Sequence, residues 1–155
     1  MGLLVVICSL IADQFSKFWI DTQMVLDKPI AYGDYFNLVK VWNTGVSFSM
    51  FNDYGQAGAI ILSVLALLVV AFLINWMRKE TVKIKIFSLS LIVGGALGNV
   101  IDRVRFGAVL DFLDFHYKGT HWPAFNLADT FICIGAFILI YLEIFNGKKK
   151  GLREI

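Results

Sequence analysis

The sequence predicts an α-helical membrane protein with four transmembrane helices, because it combines high hydrophobicity, few charges and long apolar runs. Of its 155 residues, 58% are hydrophobic and 17% are charged, and the mean hydropathy is +0.72. Soluble globular chains contain about 45–50% apolar and about 25% charged residues. The net charge of +2 is also too small for a phosphate-binding face. We therefore expect a single membrane-embedded domain over residues 1–155, and neither a soluble enzyme nor a nucleic-acid binder.

Four stretches are long enough to cross the hydrocarbon layer of about 30 Å, which takes a helix of about 20 residues. The predicted spans are residues 3–20, 57–77, 86–103 and 124–145. The second span contains no charged residue, whereas the first contains Asp13 and Lys17 and the fourth contains Asp129. The first and fourth spans therefore carry a carboxylate inside the predicted helix, and Asp102 lies at the end of the third.

Basic residues predict the orientation of these spans. The connection 78–85 and the tail 148–153 each hold four of the fourteen Lys and Arg residues. By the positive-inside rule both segments stay in the cytoplasm. Because the number of spans is even, both termini are then cytoplasmic. Segments 21–56 and 104–123 then face the other side. The first of them should form a small sheet, because residues 35–42 are rich in aromatic and β-branched side chains.

This topology brings polar residues from distant parts of the chain to one depth, near the outer leaflet. They are Asp13, Lys17, Asn99, Asp102, Arg103, Asn126 and Asp129 in the spans, with Asn43 and Asp111 in the outer segments. Spacings of three or four residues place the polar residues of each span on one helix face. A charge at the centre of a span costs about 2.5–3.5 kcal/mol, so such residues usually face a bundle interior or a wet cavity.

One interpretation is that these residues are ion pairs that hold the helices together. Asp13 has Lys17 on its own helix, and Asp102 is followed directly by Arg103. This interpretation and a functional role are both open for these four residues. Asp13 and Lys17 are four residues apart, the spacing at which side chains meet on a helix.

Asp111 and Asp129 have no basic neighbour of this kind and suggest acid–base chemistry instead. Two carboxylates in a low-dielectric site do not ionise together easily, so one keeps its proton while the other becomes a base. In a hydrolase, the ionised member activates water and the neutral one hydrogen-bonds the scissile carbonyl. Spacing alone does not choose between Asp111 and Asp114, so both remain candidates at this point.

The other chemistry-bearing residues carry weaker signals. His116 and His121 are expected in an outer loop as interfacial polar residues, and two isolated histidines are weak support for a metal site. Cys8 and Cys133 lie in apolar runs, where cysteine usually acts as a small hydrophobe. We therefore expect no metal ligands among these residues.

Two non-enzymatic hypotheses compete with a hydrolase. A small proton-coupled transporter would also use buried carboxylates, but the inner halves of spans two and four, residues 66–73 and 134–141, are almost wholly apolar and offer no polar path. A membrane scaffold gives no reason for unpaired Asp111 and Asp129.

Five segments of the sequence resemble the lipoprotein signal peptidases, the bacterial signal peptidase II family of membrane aspartic peptidases. They are Asp13–Lys17 (DQFSK), Trp42–Phe48 (WNTGVSF), Gly94–Arg103 (GGALGNVIDR), Gly107–Phe112 (GAVLDF) and Pro123–Asp129 (PAFNLAD). They occur in the family's order and cover nearly the whole chain.

The resemblance implies roles for individual residues. It makes Asp111 and Asp129 the catalytic dyad, in preference to Asp114. The residues implied to shape the pocket and hold the substrate backbone are Asn43, Gly45, Asn99, Asp102, Arg103 and Asn126, with Asp13 and Lys17 buttressing them. It also implies an extracytoplasmic β-cradle on the membrane and a short periplasmic helix near Asn52–Gln56.

The resemblance further implies the reaction and its setting. The substrate would be a diacylglyceryl-modified prolipoprotein in the bacterial inner membrane, cleaved just before the lipidated cysteine. The enzyme would use no metal or other cofactor and would bind no nucleic acid. It would be inhibited by globomycin-type cyclic peptides. Independently of the resemblance, we expect a monomer.

Overall fold

The computed structural model describes residues 1–26, 28–45 and 55–151, which form four long helices and a small antiparallel sheet. In chain order the elements are α1 (Gly2–Gln23), β1 (Ile30–Ala31), β2 (Phe36–Asn43), α2 (Gly55–Lys79), α3 (Lys83–Phe106), β3 (Val109–Tyr117), β4 (Thr120–His121) and α4 (Leu127–Gly151). Each helix contains a stretch long and apolar enough to cross a membrane. The predicted class, a four-helix membrane protein with a small sheet, is confirmed.

Two predicted elements differ from the structure or lie outside it. The short helix expected near Asn52–Gln56 falls outside the described residues, apart from Gly55 and Gln56, which begin α2. The fourth helix begins at Leu127 and not at residue 124. The reason is that Phe125 pairs with β3 through backbone hydrogen bonds, so this part of the chain is extended.

Helix α3 lies at the centre and packs against the other three helices. Small residues allow this close approach. A Cβ atom on Gly95 would lie 2.4 Å from the carbonyl oxygen of Ala128 on α4, and one on Gly98 would lie 2.3 Å from Oδ2 of Asp13 on α1. At one end of the bundle the helices bury an apolar cluster of Val70, Leu73, Leu89, Val93 and Leu139. Polar side chains meet near the other end of α3.

The sheet packs against the C-terminal end of α1. Its strands are arranged in the order β1-β2-β3-β4, and neighbouring strands are antiparallel. Ile20 and Met24 pack against Leu110 and Phe112 of β3. The register of β2 shifts by one residue between Leu38 and Val41, which is a β-bulge next to the pairing of Val41 with Asp111.

Two backbone features connect the sheet to the bundle beside Asp111. Gly107 ends α3 in the left-handed region, with φ of 72°, so the chain turns sharply into β3. Further along, the N–H of Leu113 donates to the carbonyl of Phe125 at 2.8 Å, and the N–H of Phe125 donates back at 3.1 Å. This pairing places the start of α4 against the middle of β3.

Candidate active site

Asp111 projects from β3 into the polar end of the bundle, where it is only 3% exposed. Both oxygens of its carboxyl group accept amide hydrogen bonds. Asn126 Nδ2 donates to Oδ1 at 2.6 Å, and Asn43 Nδ2 donates to Oδ2 at 3.0 Å. The carboxyl group of Asp111 thereby connects Asn43 at the end of β2 to Asn126 just before α4.

Asp129 lies in the first turn of α4, where Asn126 caps the helix. The Asn126 side-chain oxygen accepts the Asp129 N–H at 3.0 Å, and its carbonyl accepts the Thr130 N–H at 3.2 Å, as an N-cap residue does. Asp129 Oδ2 lies 3.4 Å from the Asn126 N–H, which completes a loose capping box. Asn99 Nδ2 donates to Asp129 Oδ1 at 2.8 Å. Asn126 and Asp129 therefore meet at this spacing, but Asn126 does so as the cap that precedes the helix and not from within it.

Asp111 and Asp129 meet around Asn126, whose side chain contacts both residues. Burial and, second, the negative charge of Asp129 raise the pKa of Asp111 to about 7, against the opposing hydrogen bonds from Asn43 and Asn126. A carboxyl group with this pKa holds a proton up to neutral pH. The chain thus brings a carboxyl group with a raised pKa and a second carboxyl group to one place.

Arg103 borders the pair from α3. Its charge acts on Asp111 and Asp129, and its Nη2 donates to the carbonyl of Gly45 at 3.2 Å. Its Nε is buried and has no hydrogen-bond partner among the described residues. Gly45 in turn donates its N–H to Asn43 Oδ1 at 3.0 Å, which fixes the direction of that amide. This connects the segment after β2 to the two aspartates.

A buried ion cluster lies beneath the site. Lys17 Nζ lies 2.9 Å from Asp13 Oδ2 and 2.9 Å from Asp102 Oδ2, and it donates to Asn99 Oδ1 at 3.1 Å. The predicted pairing of Asp13 with Lys17 is confirmed. The expected pairing of Asp102 with Arg103 is wrong, because Asp102 turns toward α1.

The cluster also holds the backbone around it. Asp13 Oδ1 accepts the N–H of Ala128 at 2.9 Å, and Asp102 Oδ2 accepts the N–H of Leu110 at 3.3 Å. These N–H groups belong to the residues directly before Asp129 and Asp111. The ion cluster therefore positions the backbone from which both aspartates project.

The sequence interpretation missed one member of this cluster, Gln14. Its Nε2 donates to Asp102 Oδ1 at 2.9 Å and to the carbonyl of Gly98 at 3.3 Å. The available signal was its polar side chain within an otherwise apolar span, directly after Asp13. The motif DQFSK contains Gln14, but the resemblance implies roles only for Asp13 and Lys17 in that span.

Asp114 belongs to a separate polar group. It accepts a hydrogen bond from Asn37 Nδ2 at 2.8 Å and pairs with His121 Nδ1 at 2.9 Å. Burial raises the pKa of Asp114, but the Asn37 and His121 contacts outweigh burial, and the net pKa is lowered. Residues three apart on a strand point to opposite faces, so Asp114 does not share a site with Asp111.

The two histidines lie on strands, so their predicted placement in a loop is wrong. His116 is on β3 and His121 is on β4, and their rings stack with centroids 5.0 Å apart. No group of three or more His, Cys, Asp or Glu side chains suited to a metal ion occurs within residues 1–26, 28–45 and 55–151.

A largely apolar cavity of about 420 Å³ reaches Asp129. Its other walls include Trp122 and Phe125 from the segment before α4, and Cys133 and Ile134 from α4 itself. The last two side chains are exposed on a membrane-spanning helix. Part of the cavity wall is therefore formed by exposed side chains of α4.

Comparison with known proteins identifies the family. The family model described as Signal peptidase (SPase) II matches residues 5–145. The chain belongs to the signal peptidase II family. As a member, it is a protease and a multi-pass membrane protein, and this favours the peptidase over the transporter and scaffold hypotheses.

Individual relatives of this signal peptidase II chain cover nearly its full length. A lipoprotein signal peptidase of Aeromonas hydrophila is 42% identical over 147 residues, which cover 93% of this chain and 87% of the relative. One of Anaplasma phagocytophilum is 38% identical, covering 93% and 92%. A bacterial membrane enzyme solved by the in meso method at 2.3 Å superposes with a TM-score of 0.87 and 26% identity, covering 96% of this chain and 90% of that one.

Proposed function

We propose that this chain is an aspartic endopeptidase that removes the signal peptide from diacylglyceryl-modified prolipoproteins, cleaving just before the lipidated cysteine. The observation that carries the proposal is the meeting of Asp111 and Asp129 around Asn126. Family membership supports the substrate class, because the relatives named above are lipoprotein signal peptidases.

The surroundings of the two carboxyl groups suggest different roles. Asp111 is the proton donor, because its raised pKa of about 7 keeps it protonated below neutral pH. Asp129 is the base. The N-terminal end of α4 and the Asn99 amide both stabilise a negative charge on it. Such a divided pair is what general acid–base hydrolysis requires.

The proposed reaction has two steps. Water attacks the scissile carbonyl carbon and gives one proton to Asp129, while the proton of Asp111 passes to the carbonyl oxygen. The resulting gem-diol then collapses. A hydroxyl proton returns to Asp111, the C–N bond breaks, and the proton on Asp129 passes to the departing amine. Both carboxyl groups end in their starting states.

Further residues around the dyad have supporting roles in this proposal. The buried Nε of Arg103, which lacks a partner among the described residues, is suited to donate to a substrate backbone carbonyl. Asn43, Asn99 and Asn126 orient the carboxyl groups. Gly45 holds Asn43 and Arg103, and Asp102 supports the backbone of β3.

Lipid-side access suits a substrate that is anchored in the membrane. The cavity at Asp129 is lined by apolar side chains and is open beside α4, so a lipid-anchored precursor reaches the dyad without leaving the bilayer. We place the enzyme in the bacterial inner membrane as a monomer, with both termini cytoplasmic and the dyad near the outer leaflet.

Cleavage of a diacylated precursor by purified protein tests this function. We expect Asp111→Asn and Asp129→Asn each to abolish the shift of the precursor to mature size on a gel. Asp114→Asn, a matched change on the other face of β3, should retain cleavage. Globomycin should inhibit the wild type. All variants should insert in the membrane at similar levels.

Two results would contradict the proposal. Turnover retained by Asp111→Asn or Asp129→Asn would remove that residue from the dyad. A wild-type protein that leaves the diacylated precursor intact would refute the substrate assignment.

A further inference from the structure

Lys17 is a buried lysine whose ammonium group has three acceptors. The residue is 4% exposed. Its Nζ lies 2.9 Å from Asp13 Oδ2, 2.9 Å from Asp102 Oδ2 and 3.1 Å from Asn99 Oδ1. An ammonium group has three N–H donors and no acceptor, so these contacts occupy it fully.

This arrangement determines which way the Asn99 amide points. Since Lys17 only donates, Asn99 must turn its oxygen toward the lysine. The amide nitrogen then points the other way and donates to Asp129 Oδ1 at 2.8 Å. The reversed amide would place an N–H₂ group against the ammonium and a carbonyl oxygen against the carboxylate, and both hydrogen bonds would be lost.

Asn99 differs from the other two amides of the site in how its direction is fixed. Asn43 and Asn126 have their side-chain oxygens held by backbone N–H groups, those of Gly45 and Asp129. Those donors are present whatever the surrounding side chains. The oxygen of Asn99 accepts from a lysine side chain and, at 3.3 Å, from the neighbouring asparagine amide.

We propose that Lys17 is a positioning residue that acts through Asn99, keeping an amide donor directed at the carboxylate of Asp129. This inference rests on the proposed function, in which Asp129 is the base. Without the lysine, only the 3.3 Å contact from Asn126 Nδ2 still holds the Asn99 oxygen, so the amide can turn its carbonyl oxygen toward Asp129. A carbonyl oxygen in that position favours a protonated carboxyl group and so removes the base from the reaction.

The neighbouring charges set a requirement for the test. Asp129 is faced by Asp111 on β3 and by Arg103 on α3, whereas Lys17 is faced by Asp13 and Asp102. Removing the lysine also removes a positive charge near these groups. An experiment must therefore separate the loss of charge from the loss of amide orientation.

A double-mutant cycle makes this separation. The variants Lys17→Met, Asn99→Ala and their combination are compared by the pH dependence of kcat/KM on a diacylated precursor. We expect Lys17→Met to move the acidic limb upward by about one pH unit, which lowers the rate about tenfold on the acid side. In the Asn99→Ala background, Lys17→Met should cause no further shift.

The proposal would be overturned if Lys17→Met and Asn99→Ala shifted the acidic limb independently of each other. It would also be overturned if Lys17→Met lowered kcat/KM equally at every pH. If Lys17→Met does not accumulate in the membrane, the charge-compensated Lys17→Met/Asp13→Asn takes its place in the same cycle. Lys85→Met is the matched control: Lys85 pairs with Glu143 near the other end of α3, and its loss should leave the profile unchanged. Wild-type cleavage in this assay tests the proposed function separately.

Discussion

At the residue scale, the protonation state of Asp111 connects the structure to the pH dependence of the reaction. Burial and the charge of Asp129 raise its pKa to about 7. In the proposed mechanism this carboxyl group must carry the proton that passes to the scissile carbonyl. A raised pKa therefore keeps the donor in its active form up to neutral pH.

We expect activity to fall as pH rises through about 7, because Asp111 loses its proton there. Above that pH, kcat/KM should fall about tenfold for each further pH unit. The measurement is kcat/KM of the purified enzyme from pH 5 to 9. Asp114→Asn should show the same basic limb, since Asp114 lies outside the dyad. A rate that stays constant up to pH 9 would contradict Asp111 as the donor.

The choice between Asp111 and Asp114 shows what sequence spacing leaves open. Both residues occur on one apolar, aromatic strand, three positions apart. The alternation of side chains along β3 places them on opposite faces, and contacts from other elements give them different partners. The carboxyl group of Asp114 contacts Asn37 and His121, whereas that of Asp111 contacts Asn43 and Asn126.

At the element scale, the start of α4 serves helix stability and the site through one residue. The Asn126 oxygen caps α4 by accepting the Asp129 N–H, while its nitrogen donates to Asp111. A capping residue with a hydroxyl group performs the first task and not the second. The two roles of Asn126 are therefore separable by mutation.

We expect Asn126→Ser to keep the helix cap and to lose activity. Serine is a good N-cap residue, so thermal stability in detergent should stay close to wild type. Loss of the amide donor to Asp111 should lower kcat/KM about tenfold or more. Asn126→Ala should lose both properties, with about 0.5–2 kcal/mol less stability from the missing cap. Full activity in Asn126→Ser would show that the amide is not required.

At the scale of the whole molecule, α3 organises the site because it contacts the three other helices. Its glycines allow α1 and α4 to approach closely, so Asp13 on one side and Ala128 on the other meet its backbone surface. Asp111, Asp129 and the ion cluster beside them lie near the end of this helix that leads into β3. The connection between α2 and α3 lies at the opposite end of the bundle.

We expect these two ends to face opposite sides of the membrane. In a Cys8→Ala/Cys133→Ala background, Lys118→Cys on the β3–β4 turn should react with a membrane-impermeant maleimide in intact spheroplasts. Thr81→Cys, in the connection between α2 and α3, should react only after permeabilisation. Lys118 and Thr81 are both exposed. The reverse pattern would contradict the proposed orientation.

The sequence by itself determined the fold class, the helices to within a few residues, and the polar residues that meet near one end of α3. It could do so because the length of an apolar run and the charge of its flanking residues are local properties of the sequence. These properties determine whether a segment spans the membrane and in which direction. The family motifs added the expected dyad, which the structure brings together around Asn126.

Only the tertiary structure decided how these residues are paired. Asp102 turns to Lys17 on α1 and not to its sequence neighbour Arg103, and Gln14 joins the cluster. The direction of the Asn99 amide likewise depends on a lysine from another helix. Hydrogen-bond partners on different elements depend on where the elements pack against each other and on which groups can only donate a hydrogen bond. The spacing of residues within one element gives no information on how the elements pack.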